Sequence, residues 1–261
     1  MKKIIFSLIL STCLFAAPVG NPAAPHVLCK GLLIPQKCWA NIRLGYEGNF
    51  VFDGEMKQTK NSSSELDKYT QATHAGSATI TLLERMDMYG VFGSSRICAK
   101  WRFNTLSDEV RNAEMETKHA FLWAVGGRAI LYSWGNWDLG LGGRYSASHN
   151  HISWLTIDGS NVSTKGSRSR WRKWQVNTGL SYHIDLFTPY IGAYYINARH
   201  NLKNLDEPIA NKGSRNNLFE NRVPIGMYLG CSLSNGSYFM LNVEGRVIAE
   251  EALTVSGDFR F

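Results

Sequence analysis

Past its first twenty residues the chain has no uninterrupted apolar run of about 18 residues, which excludes a membrane-spanning helix. No Cys-x-x-Cys pair occurs, so neither a zinc ribbon nor a thioredoxin-type redox site is suggested. Gly-x-Ser-x-Gly, His-Glu-x-x-His and phosphate-binding glycine loops are also missing. His119, His149, His151, His183 and His200 are scattered; neither an enzyme nor a cofactor is expected. His149 and His151, two apart, share a face of an extended chain and permit a metal, but a solvated loop is the simpler reading. Charge is sparse: charged residues are 19%, and the formal +7 falls to +5 once Lys2 and Lys3 are removed. The densest basic stretch, KGSRSRWRK at 165–173, is local. It reads as a solvated loop facing anionic groups rather than as a nucleic-acid face.

What the chain does have begins with MKKIIFSLILSTCLFAAPVG, the layout of a secretory signal peptide over residues 1–16, cleaved after Ala16 or Ala17. A lipoprotein signal around LSTC is the alternative. Export permits disulfides. Cys13 leaves with the signal, and Cys29, Cys38, Cys98 and Cys231 remain. Aromatic residues make up 12% of the chain, a level suited to half-buried strands or a membrane interface.

The remaining sequence is written in period two. From Trp137, the residues Trp137, Leu139, Leu141, Tyr145 and Ala147 share one face, while Asp138, Gly140, Gly142, Arg144 and Ser146 share the other. Similar division places Ile42, Leu44 and Tyr46 opposite Arg43 and Glu47, and Val243 and Val247 opposite Glu244 and Arg246. The last nine residues, LTVSGDFRF, alternate to the terminal phenylalanine, although chain ends ordinarily fray. Ten such segments are expected, at 39–53, 74–84, 86–103, 119–132, 136–148, 170–184, 187–199, 222–233, 237–248 and 252–261. Tight turns at Glu84 to Asp87, SWGN, Asp185 and Asn235-Gly236 alternate with long polar connections, and AEE alone breaks the rule.

Short turns at one end and long loops at the other are the habit of transmembrane antiparallel β-barrels of the outer membrane, with short turns facing the periplasm. The expected fold class is therefore all-β: a barrel of about ten strands, range 10–16, over residues 39–261, preceded by a periplasmic segment at 17–38. A soluble β-sandwich also alternates, but it does not account for the many glycines inside strands, which barrel curvature excuses. Arginine or lysine at mid-depth on a lipid face costs roughly 2–4 kcal/mol, so the polar faces must point inward. The expected lumen residues are Arg43, Glu47, Arg128, Asp138, Arg144, Glu244, Arg246, Asp258 and Arg260. Five arginines against four carboxylates suggest a slight preference for anions, unless these charges pair with one another and plug the barrel. Trp39, Tyr46, Trp137, Trp174, Tyr182 and Phe261 are expected at the membrane rims, and Cys231, in step with Leu229 and Leu233, faces lipid. Cys98 falls on the polar face of its strand.

Several segments carry a closer resemblance. The stretches APVGNPAAP, GNFVFDG, ATITLLERMDMYGVFG, KWQVNTGLSY, TPYIGAYYINA and NVEGRVIAEEALTVSGDFRF, in this order, resemble the chlamydial major outer membrane protein family of porins. The chain is shorter than the typical member and has fewer cysteines. The resemblance implies passive diffusion of small solutes and ions and surface-exposed antigenic loops, the alternative being a closed structural or adhesive barrel. It also implies a disulfide-cross-linked envelope, with Cys29 and Cys38 forming a local or an intermolecular bridge or staying as thiols. Expected partners are outer-membrane lipid and lipopolysaccharide, further copies of the chain, and the barrel-assembly machinery, which would read Phe259 and Phe261 at the C-terminus. No nucleic acid is expected.

Overall fold

The structure is a computed structural model and describes residues 19–28, 39–59, 66–104, 109–205 and 216–261. The expected signal peptide with its cleavage point, Cys29 and Cys38 lie outside the described residues. Strands β1 (Ala40–Gly54), β2 (Met56–Gln58), β3 (Leu66–Leu82), β4 (Met86–Asn104), β5 (Val110–Thr117), β6 (Ala120–Trp134) and β7 (Trp137–Ile157) make up the first half. The second half contains β8 (Ser160–Asn161), β9 (Arg168–Tyr182), β10 (Phe187–Lys203), β11 (Asn216–Asn221), β12 (Ile225–Ser234), β13 (Phe239–Val247) and β14 (Glu250–Arg260). One helical turn, α1 (Ala24–Val27), precedes them.

Ten strands close an antiparallel ring in the order β1, β3, β4, β6, β7, β9, β10, β12, β13, β14, and β14 returns to β1. These are the ten expected segments. Closure removes every sheet edge from the ring. It also explains the alternation of LTVSGDFRF to the last residue: β14 is laddered on both sides, to β13 and β1, and the Phe261 amide donates to the Ile42 carbonyl at 2.9 Å. The short turns contain left-handed residues, Leu83 and Glu84, Gly135, Asp185 and Gly236, as tight hairpins require.

The long-loop end departs from expectation. Residues 66–73 and 149–157 were read as loop but continue β3 and β7, β2 and β8 form inside the same expected loops, and β5 and β11 form inside two others. Here β3, β4, β5, β7, β9, β10, β11 and β2 are joined in sequence into an eight-stranded collar above the ring. The short AEE connection lies where β2 passes over the ring wall, with the Glu55 amide donating to the Ala249 carbonyl at 3.3 Å.

Alternation keeps its period through both tiers, but its polarity inverts. In β4, Asp87 points inward and Met88 and Phe92 outward near the turn end; higher up, Ile97, Trp101 and Phe103 point inward and Arg96, Lys100 and Arg102 outward. Cys98 is therefore on the polar face, as expected, and that face is the outer one at collar height. An eight-stranded barrel is filled by its own side chains. The collar is filled with Tyr69, Trp101, Leu155, Trp171 and Phe219, with Trp101 and Phe219 edge to face at 5.4 Å. His200 is fully buried there, 2.6 Å from Ser169 Oγ, and burial pushes its imidazole down to about 3.

Below the collar the outside is apolar. Ile42, Leu44, Met88, Phe92, Val125, Ile191 and Leu229 are each about half or more exposed around the whole ring. A soluble protein does not carry a continuous apolar belt of that extent. Aromatic rows bound the belt: Trp137 and Tyr145 on β7, Tyr182 and Trp174 on β9, and Phe187 and Tyr195 on β10 each span nine residues, close to the roughly 9–11 that a tilted strand needs to cross the hydrocarbon. Adjacent rows stack, with Trp137 4.6 Å from Tyr182 and Trp174 5.3 Å from Tyr195.

The strand glycines have a more local reason than curvature. Tyr190 is paired with Gly230, Tyr194 with Gly226, and Tyr228 with Gly192. Each tyrosine ring lies across its glycine, where any Cβ would collide with it. Aromatic side chains thus cover the bare backbone and fill the inner wall.

Candidate functional site

The interior of the ring is charged. All nine expected residues point inward: Arg43, Glu47, Asp138, Glu244, Arg246 and Arg260 are buried, and Arg128, Arg144 and Asp258 line a central cavity. Their positions follow from strand parity, since each alternates with an outward apolar neighbour. Asp87, Lys173 and Glu250 join them and were not anticipated from the sequence. Asp87 was assigned to a tight turn, and its parity with the inward Tyr89 and Val91 was the available signal. Lys173 was absorbed into a basic loop although it alternates with Arg172 and Trp174. With these three added, six cations meet six carboxylates, which removes the excess on which an anion preference rested.

Most of these charges are paired. Arg144 grips Glu47 with two hydrogen bonds of 2.8 and 2.9 Å, the bidentate geometry that fixes both planes. Asp87 accepts from Arg43 and from Thr81 at 2.8 Å, and Arg128 Nε lies 3.0 Å from it. Glu250 lies 2.5 Å from Lys173 Nζ and 3.4 Å from Arg246. Asp138 is 2.8 Å from His183 Nε2 and 3.6 Å from His26.

The remaining capacity of these side chains is taken up by the chain's own N-terminal segment. Residues 17–38 were read as a periplasmic N-terminal segment; their described part, Val19–Leu28, runs inside the ring. This strap belongs to no ladder of the ring and is held to the charged wall mainly by its backbone. The carbonyls of Asn21, Ala24 and Leu28 accept from Arg128, Arg43 and Arg260. The amides of Val19 and Gly20 donate to the two carboxylate oxygens of Glu244 at 2.7 and 2.8 Å. Asn21 bridges to Ser232 at 2.9 Å and Ser181 at 2.8 Å, and Ala23, Ala24, Val27 and Leu28 pack with Met240. Arg43 and Arg260 stand directly opposite each other on β1 and β14, a pairing that like charges disfavour. The strap carbonyls, together with Asp87 and Glu84, are what reconcile them.

Between strap and wall a cavity of about 40 Å³ remains, lined by Glu47, Tyr89, Arg128, Arg144, Asn242 and Asp258, room for about three waters. The lumen is thus occupied at two levels: a polar one filled by the strap and an apolar one filled by the collar.

A closed antiparallel ring with an apolar outer belt, aromatic rims, a charged interior and short turns at one end defines an integral β-barrel of the outer membrane, crossing it many times. Comparison with known proteins makes the assignment narrower. The major outer membrane porin of Chlamydia trachomatis serovar F is 23% identical over 395 aligned positions, and a major outer membrane porin of Chlamydia pneumoniae is 24% identical over 389; both alignments cover the whole of each chain. Over its whole length the chain is thus similar to these chlamydial major outer membrane porins. The alignments are longer than this chain, so the relatives carry residues that it lacks. No protein-family model matches. Among solved structures, an outer membrane channel from Pseudomonas putida F1 superposes with a TM-score of 0.43 at 9% identity, covering 86% of this chain and 96% of that one.

Proposed function

We propose that this protein is a porin-type channel through which small polar solutes and ions diffuse passively, and that the Val19–Leu28 strap is the part that leaves the lumen when the path opens. The carrying observation is how the strap is held: by backbone carbonyls and amides on the charged side chains of the wall, outside every ladder of the ring. Each of those contacts is one that water or a hydrated solute can replace. On this reading Arg43, Glu47, Arg128, Asp138, Arg144, Glu244, Arg246, Asp258 and Arg260 line the path, and the protein performs no chemistry on what passes. Rings of fixed charge set selectivity where a pore is narrow and wet; with the charges balanced, discrimination by size is expected over discrimination by sign. Phe259 and Phe261 serve as the assembly signal, on the strand that closes the ring against β1.

The apolar collar favours a second reading, a closed structural barrel that presents its collar at the cell surface. Among the described residues no ladder joins β2 to β3, which gives the collar a side on which to part. Planar-bilayer recording separates the two. Deleting residues 19–28 is expected to convert a chain with rare openings into one with stable stepwise conductance. A deletion variant that folds and stays electrically silent would assign the closed reading.

A further inference from the structure

The collar's outer surface is not uniform. On its β3–β4–β5 side, outward cations are matched by carboxylates: Arg96 with Glu116 at 2.6 Å, Lys100 with Glu114 at 2.7 Å and Arg102 with Asp67 at 2.7 Å. The β9–β10 side is different. Arg168, Arg170 and Arg172 alternate outward along β9, Arg199 stands directly opposite Arg172 on β10, and Lys203 stands opposite Arg168. Among the described residues one carboxylate answers these five cations, Glu220, 3.1 Å from Arg199. Like charges directly across a ladder are destabilising, and the same collar balances its charges elsewhere.

The height of the patch is set by the aromatic row. Trp174 is the next outward residue below Arg172, and Tyr145 is paired with Trp174 on β7. Two residues of strand are about 7 Å, so the lowest arginines lie at the level of lipid headgroups and the rest just above. On the flank, His149 Nε2 accepts from Arg170 Nε at 2.8 Å, which holds one arginine beside the imidazole. Burial, and then the Arg170 and Arg172 charges, hold the His149 imidazole below its usual range.

We propose that this outward face of β9 and β10 is a binding site for the phosphate groups of phosphorylated glycolipid in the outer leaflet. Guanidinium forks bind phosphate oxygens bidentately, and the aromatic row beneath receives the acyl chains, so both parts of one lipid molecule are met by one continuous surface. The proposal rests on the membrane level of the aromatic row and is independent of whether the lumen conducts.

The test is retention of bisphosphorylated lipid A by the full chain refolded in phosphocholine micelles, read by native mass spectrometry against dephosphorylated lipid A. The variant Arg168→Gln/Arg172→Gln/Arg199→Gln is expected to lose at least about tenfold in affinity. Lys100→Gln/Arg102→Gln, on the balanced side, is expected to match the unaltered chain, and dephosphorylated lipid is expected to bind weakly to all three. Equal binding by the triple variant and the unaltered chain would overturn the proposal. So would equal retention of the dephosphorylated lipid, or full displacement by millimolar inorganic phosphate, which would make the ligand a free anion.

Discussion

Replacing Glu250 by alanine is expected to cost the barrel about 3–5 kcal/mol, read as a fall in the urea midpoint of unfolding from lipid vesicles. Glu250 is buried between Lys173 and Arg246, themselves buried, and is the carboxylate both cations lean on. Removing it leaves Lys173 without its carboxylate and Arg246 with only Asn49 and the more distant Glu244, at a depth where water does not replace it. Removing one cation is a smaller injury: in Lys173→Met, Glu250 keeps Arg246, and the new side chain fills the same space. The expected order is Glu250→Ala well below Lys173→Met, with Lys173→Met close to the unaltered chain. The reverse order would mean that Glu250 is solvated in the folded protein and that the cluster is not a buried one.

A valine at Gly230 is expected to destabilise the barrel by about 1–3 kcal/mol, and the loss should be partly recovered by shortening Tyr190. The Tyr190 ring lies across Gly230, and its hydroxyl is fixed by donating to Asn242 at 2.9 Å and Glu244 at 3.1 Å, so it has no cheap way to step aside. In a Tyr190→Ala background the space is vacant, and Gly230→Val should then cost little; the difference between the two backgrounds is the coupling energy of ring and glycine. Gly93 provides the contrast. Its added Cβ would meet the His74 carbonyl oxygen and the Ala75 Cα, backbone atoms that no side-chain trimming removes. Equal cost of Gly230→Val in both backgrounds would return the strand glycines to a role in curvature alone.

Much of this was legible in the chain because period two is a strong signal wherever one face meets lipid and the other does not. The ten ring strands, the four tight turns and the inward position of Arg43, Glu47, Arg128 and Arg144 all follow from it. The collar was not legible, and the reason is physical. Above the membrane the chemistry of the two faces is exchanged, and in HNHISWLTI a bulge at Ser153 shifts the parity as well, so a stretch that places His149 and His151 outward and Ile152 and Leu155 inward looks like a polar loop to a reader who expects apolar residues outside. The strap was illegible for a different reason. Its contacts with Glu244, Arg43, Arg128 and Arg260 are made by backbone amides and carbonyls, which every residue has, so nothing in VGNPAAPHVL marks it as their partner. The lumen charges were found, but what they hold was not.

On the porin reading, the strap closes a path which its departure opens. A reversible tether tests this most directly. With Cys29, Cys38, Cys98 and Cys231 changed to serine, Asn21→Cys and Ser232→Cys put two thiols on a pair of facing side chains now joined by a 2.9 Å hydrogen bond. Current through a planar bilayer would be followed on one refolded preparation before and after reduction. Silence is expected while the strap is tethered and stepwise conductance once it is released. The same current in both states would contradict that reading and remove the strap from any role in closing the lumen.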